Sequence, residues 1–313
     1  MTAVAAAPAG RRAAVFWSFA AIYLVWGSTY LAIRVVVESF PPFLAAGARF
    51  LLAGALLYGW SRWRGVPAPA RRLWLPAFLL GALFFLFGNG GISWAETRIP
   101  SGLTALLAAT SPLFTAIFES GHQGWRRPPV RVVVGIVAGL GGVALLVAPG
   151  EIIGGGHVDL AGAAAITLAA LAWAGGSVMS HAVPLHPSPA LSTGMKMLGG
   201  GTLLVLAGLI FGEGSRISTA HFTLMPILAW GYLMVFGSLV GFSAFTYLLR
   251  VTTPSKVATS AYVNPLVAVA LGWLILGESV TPRTLVAAGI IIGGVVLIRM
   301  RSEERVANSE EPT

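Results

Sequence analysis

Long apolar runs constrain this chain more than any other feature. They lie at 14–36, 42–61, 73–95, 100–118, 130–148, 160–181, 190–211, 222–249, 255–276 and 283–300. Each approaches or exceeds the ~20 residues that a helix needs to cross ~30 Å of hydrocarbon at 1.5 Å of rise per residue. The connections carry turn formers or charge: Pro41-Pro42, then 62–72, 121–129, 149–159, 184–189 and 277–282. A soluble fold is excluded by composition, because 10% of residues are charged and a soluble domain carries ~25%. The expected fold is all-α integral membrane with ten transmembrane helices.

Arg11 and Arg12 ahead of the run at 13–33 imitate a signal peptide. A cleavable apolar segment is ~7–15 residues long and ends at a small-residue site. This run is longer and no convincing site follows, so it is expected to stay as the first span.

Ten spans put alternate connections on one side, which charge can test. The N-terminal side collects Arg11, Arg12, Arg62, Arg64, Arg71, Arg72, Arg126, Arg127, Arg131, Arg250, Lys256, Arg299, Arg301 and Arg305, fourteen cations. The other side has four: Arg34, Arg98, Arg216 and Arg283. By the positive-inside rule both termini, 1–12 and 301–313, are expected to be cytoplasmic tails. The net charge of +9 then belongs to loops facing anionic lipid, and a nucleic-acid partner is not expected. The chain has no cysteine, which excludes disulfides and thiolate chemistry.

The chain also repeats itself. A shift of 147 carries Trp26 onto Trp173, Arg34 onto His181, Pro42 onto Pro189, Gly47 onto Gly194, Arg49 onto Lys196 and Gly54 onto Gly201. A shift of 153 carries Gly88 onto Gly241, Trp94 onto Tyr247 and Pro112 onto Pro265. Two units are expected, 14–148 and 160–300, each of five spans. An odd span count obliges the second copy to enter the membrane inverted. Inverted repeats give alternating access, with the substrate near the midplane where they meet.

Trp26-Gly-Ser-Thr-Tyr-Leu-Ala-Ile-Arg34, Glu38-Ser-Phe-Pro-Pro42 and Gly47-Ala-Arg-Phe50 resemble the opening of EamA-type transporters of the drug/metabolite transporter superfamily, nearest to the YedA/PecM-type exporters. Gly88-Asn-Gly90, Ala95-Glu96, Pro100-Ser-Gly102, Pro112-Leu-Phe114, Tyr262-Val-Asn-Pro265 and Gly277-Glu278 continue the likeness in order. The resemblance implies ten spans, a central cavity and a bacterial inner-membrane location. It also implies transport of small metabolites, amino acids or drugs, commonly outward. It names no substrate.

Cations inside spans are expensive and usually face a cavity or a partner. Arg49 and its repeat mate Lys196 are candidates for an anionic substrate group, although both are near enough to an interface to snorkel. Asn89, Tyr262 and Asn264 are candidate polar lining. Trp26, Trp173 and Tyr247 are candidate aromatic lining. Pro112 and Pro265 are expected to kink their helices. Arg34, Glu38, Glu96 and Arg98 lie near outer span ends, where Arg34 with Glu96 forms a candidate gate; His181 mirrors Arg34. The GxxxG pairs Gly135/Gly139 and Gly289/Gly293 suit either internal packing or a dimer seam, so monomer and homodimer both stay open. Every acidic residue lies at a span end, in a loop or in a tail. Any proton coupling would therefore use a residue such as Glu96 or Glu119.

Enzyme motifs are missing: the chain has no HExxH and no GxSxG, and its histidines are scattered. The run Gly154-Gly-Gly-His-Val-Asp159 lacks the lysine and spacing of a phosphate loop. No metal or cofactor is expected. The partners expected are a small-molecule substrate and the lipid bilayer. The reading is a secondary transporter whose expected direction is outward; an importer or an anion/sugar-phosphate-type exchanger, a channel and a membrane sensor are the alternatives.

Overall fold

The computed structural model describes residues 9–99, 104, 107–122, 130–147, 159–217, 222–267, 282, 285–287, 289, 290, 292–294 and 297. The C-terminal tail, most of the N-terminal tail, the joining loop at 150–158 and the Gly277-Glu278 motif lie outside them. All regular structure among the described residues is helical: α1 (Ala9–Val37), α2 (Pro42–Trp63), α3 (Arg71–Ala95), α4 (Ser111–His122), α5 (Val130–Val147), α6 (Leu160–Ala182), α7 (Pro189–Ile210), α8 (Leu224–Val251), α9 (Pro254–Ala258, then 260–267) and α10 within 285–294. Six of these, α1, α2, α3, α6, α7 and α8, are long and apolar enough to cross a membrane. The other four expected spans show shorter helical stretches among the described residues.

Exposed leucines, valines and tryptophans such as Leu24, Val137, Leu160 and Trp63 cover the outside. In water such a surface would be an aggregation site; against lipid tails it is the expected boundary.

α2 and α7 are repeat mates and form the central seam. Each has 22 residues and opens on proline at its first turn, Pro42 and Pro189, where the missing N–H costs nothing. Each is followed by a glycine in the left-handed region, Gly65 (φ 80) and Gly212 (φ 71), the usual way to end a helix. The two run antiparallel, with Gly47 against Gly201 and Gly54 against Gly194; a Cβ on Gly54 would lie 3.0 Å from the Gly194 carbonyl oxygen. Repeat symmetry exchanges these two pairs. Small residues allow backbones to approach this closely.

The ends of the helices sort the charges. Arg34 at the end of α1 donates to the Glu96 backbone carbonyl at the end of α3. Arg98 pairs with Asp159, the N-cap of α6, at 3.1 Å. Glu213, after α7, accepts from the backbone N–H groups of Phe43 (3.2 Å) and Leu44 (2.8 Å) and so caps α2, whose own N-cap Pro41 has no side-chain donor or acceptor. α6 therefore begins at the end where α1 finishes. At the opposite end Arg250 donates to the carbonyls of His186 and Pro187 before α7.

α3 and α8 share a feature that the sequence pattern did not announce. Each contains nine residues of π-helix, Ala82–Gly90 and Leu233–Gly241, at matching places in the two halves. Such widened turns are rare and cluster at functional sites.

Candidate functional site

A cavity of about 90 Å³ opens between the two halves. α1 supplies Trp26, Thr29, Tyr30 and Ile33 at the three- and four-residue spacing that places side chains on one helix face. Arg49 of α2 and Asn89 of α3 form its polar wall. α4 and α9 present Ser111, Ser260 and Asn264, and α6 presents Ala169, Ala170 and Trp173.

Arg49 is 3% exposed. Its Nη2 donates to Asn89 Oδ1 at 3.2 Å, and its guanidinium lies 4.3 Å from the centre of the Phe50 ring. Its Nε has no hydrogen-bond partner among the described residues, and neither has Asn264 Oδ1. Buried groups left this way cost ~1–3 kcal/mol each, and both residues line the cavity. Asn89 is oriented by the π-helix: its Nδ2 donates to the Phe84 carbonyl five residues earlier, at 3.3 Å. Ser238 Oγ makes the equivalent bond to Leu233 at 3.1 Å in α8.

Trp26 and Trp173 meet edge to face, 5.4 Å apart, and with Phe84, Phe242 and Phe245 form one aromatic cluster. Trp26 Nε1 donates to the Gly237 carbonyl, inside the π-helix of α8, at 3.2 Å. Each tryptophan sits on a glycine of the other half's π-helix: Trp26 on Gly241 and Trp173 on Gly88. The cluster floors the cavity towards the Arg250 end, while Tyr30, Ile33 and Ile92 continue it towards the Arg34 end.

Several expected residues lie elsewhere. Lys196 is 2% exposed and donates to Thr246 Oγ1 at 3.0 Å, away from the cavity. Tyr262 is wholly buried against Gly139, with its hydroxyl unpartnered among the described residues. Tyr247 is half-buried in α8 and outside the lining. His181 is exposed at the end of α6. Arg34 pairs with the carboxylate of Glu38 at 2.7 Å, and it meets Glu96 through the backbone carbonyl rather than the side chain. Glu119 accepts from Ser255 Oγ, joining α4 to α9. α4 starts at a turn over Ala109 and Thr110, just ahead of Pro112; α9 turns at Thr259, six residues before Pro265. Both interruptions adjoin lining residues. Gly135 and Gly139 pack against Gly294, whereas Gly289 and Gly293 have nothing within 4 Å. The first GxxxG therefore serves internal packing.

Thr29, Tyr30, Ser111 and Ser260 were not expected in the site. The hydroxyl residues of α1 were legible in principle from their register with Trp26. Ser111 and Ser260 are positioned by helix interruptions that carry no pattern of their own.

Comparison with known proteins agrees with this architecture. The model of the EamA-like transporter family matches residues 12–148 and again 160–300. The uncharacterized inner membrane transporter YedA of Escherichia coli K12 is 39% identical over 287 residues, covering 91% of this chain and 90% of its own. A probable terminal-alkyne amino-acid exporter of Streptantibioticus cattleyicolor is 26% identical, covering 95% and 97%. One crystal structure superposes with a TM-score of 0.72 at 21% identity, over 93% of this chain and 99% of that one, and shows the same fold. With both halves matched separately and a relative this similar along nearly its whole length, the chain belongs to the EamA-like transporter family.

Proposed function

We propose that the protein is a secondary transporter of the inner membrane that moves small carboxylate-bearing metabolites, amino acids foremost, outward by alternating access. Membership of a transporter family makes it a membrane transporter and not an enzyme. The observation that carries the substrate class is Arg49: a buried cation with an unpartnered Nε, facing a cavity whose described lining holds no acidic side chain. A carboxylate would complete it with charge-assisted hydrogen bonds, while an apolar body would rest on Trp26 and Trp173. The small volume suits a metabolite better than a drug-sized ligand, whose pockets measure ~300–1,000 Å³. The exporter from Streptantibioticus points to amino acids and to outward movement.

Three features support inverted five-span repeats with both termini cytoplasmic. α6 starts at the end where α1 finishes, the α2–α7 seam exchanges its glycine pairs under the repeat, and fourteen of the cations fall on the N-terminal side. On this reading the Arg34 end is periplasmic, and the cavity belongs to the outward-facing state. Lys196 takes the lining position of Arg49 in the inward-facing state, because exchanging the conformations of the two halves exchanges these mates.

The test is counterflow in liposomes loaded with phenylalanine, benzoate or ethidium. Saturable, trans-stimulated movement of the two carboxylates and none of ethidium is expected. Preference for ethidium would overturn the substrate class.

A further inference from the structure

Glu96 lies one residue past the apolar span Arg71–Ala95. It is 0% exposed, and neither carboxyl oxygen has a hydrogen-bond partner among the described residues. The nearby cation is already in use: Arg34 holds Glu38 with its Nε and the backbone carbonyl of Glu96 with its Nη1. Packing does not require a carboxyl here. The shift that carries Trp94 onto Tyr247 carries Glu96 onto Leu249, which is equally buried at 4% exposed. One half fills the position with leucine and the other with an acid.

α1 brings Arg34, which favours the carboxylate, and Tyr30, which feels its charge. Arg98, two residues on, is engaged by Asp159 of α6. α6 itself offers Ile166 beside Ala95 and Ile99. On α2, Arg49 is bonded to Asn89. Burial holds the Glu96 carboxyl well above the usual carboxylate range, with the Arg34 charge opposing. Tyr30, within electrostatic reach of Glu96, lines the cavity.

We propose that Glu96 is the proton-binding site of this carrier. The proposal rests on the transporter reading above. With the cavity formed at the Arg34 end, the carboxyl keeps its proton. In the state open to the opposite end it discharges: the O–H bond breaks, the proton passes to water admitted from that end, and the guanidinium of Arg34 leaves Glu38 to pair with the carboxylate. One proton thus accompanies one conformational cycle.

Infrared difference spectra of the full chain in lipid, titrated with pH, test the site without any substrate. A protonated-carboxyl band persisting above the usual carboxylate range is expected in the wild type and absent in Glu96→Gln and in Glu96→Leu, which copies the other half. Arg34→Gln keeps the band and moves its titration to higher pH. A band that survives Glu96→Gln, or a titration that Arg34→Gln leaves in place, overturns the proposal. Coupling is read in liposomes carrying labelled phenylalanine and benzoate: an imposed pH gradient drives accumulation by the wild type, while Glu96→Gln shows counterflow without accumulation. Gradient-driven accumulation by Glu96→Gln at the wild-type level overturns it as well. A wild type without counterflow of any probe removes the transporter reading, and the proposal with it, even where the infrared band persists; an ordinary carboxylate titration removes the proposal alone.

Discussion

Arg49 donates one hydrogen bond to Asn89, its Nε has no partner among the described residues, and the proposed function gives it a carboxylate to bind. Removing it deletes a charge-assisted contact worth ~1.5–3 kcal/mol, so Arg49→Gln is expected to raise the half-saturation for carboxylates about 10–100-fold. The effect should be sided: Arg49→Gln weakens binding from the Arg34 end, and Lys196→Gln weakens it from the other, as measured in liposomes of sorted orientation. Asp159 behaves as a pH reporter. The Gly162 N–H first, and then Arg98, hold its carboxyl below the usual range. Its stabilisation is complete above the unfolded carboxylate pKa and disappears as pH falls through the lower folded value. Because asparagine also caps helices, Asp159→Asn should keep the cap while making acid unfolding below pH ~4 less steep. At this scale Arg49 was legible because a cation in an apolar run needs a reason. The separate places of Arg49 and Lys196 were not, since sequence symmetry assigns mates to equivalent positions without saying which half is open. Nor could a list of charges show that Arg34 would bond a backbone carbonyl instead of the Glu96 side chain.

Among the elements, the π-helices matter most for the site. They turn Asn89 towards Arg49 and place Gly88 and Gly241 beneath the two tryptophans. A Cβ on Gly241 would come within 2.3 Å of Trp26 Nε1, and an indole ring cannot bend away. Gly241→Ala is therefore expected to break the Trp26–Gly237 bond, cost about 1–3 kcal/mol, and abolish counterflow. Gly59 makes the control, because nothing lies within 4 Å of its added Cβ. Gly59→Ala should leave stability unchanged or raise it by less than ~1 kcal/mol, as thermal unfolding in detergent would show. The helices themselves could be read from run length, and the α2–α7 pairing was foreshadowed by the matched glycines. The π-turns could not be read, because their sequences are apolar and glycine-containing like any buried helix. Tyr262 shows the limit of polarity as a signal: it was expected in the cavity, and Gly139 instead accommodates its ring in the packed interior.

For the whole molecule, duplication and charge bias together make a topological statement. The chain has no cysteine, so single cysteines report their side without background. Thr97 and Ala68 are exposed at opposite ends. Thr97→Cys is expected to react with an impermeant maleimide on intact spheroplasts, and Ala68→Cys after permeabilisation. The reverse pattern would invert the assigned orientation.

On the proposed mechanism substrate crosses by way of the Arg49 cavity, one half closing as the other opens. The most direct test is phenylalanine and benzoate counterflow by purified wild-type and Arg49→Gln protein in liposomes. Saturable flux is expected that speeds up when the opposite side is loaded and falls at least about tenfold in Arg49→Gln. Flux without saturation or trans-stimulation, or flux indifferent to Arg49, would contradict it.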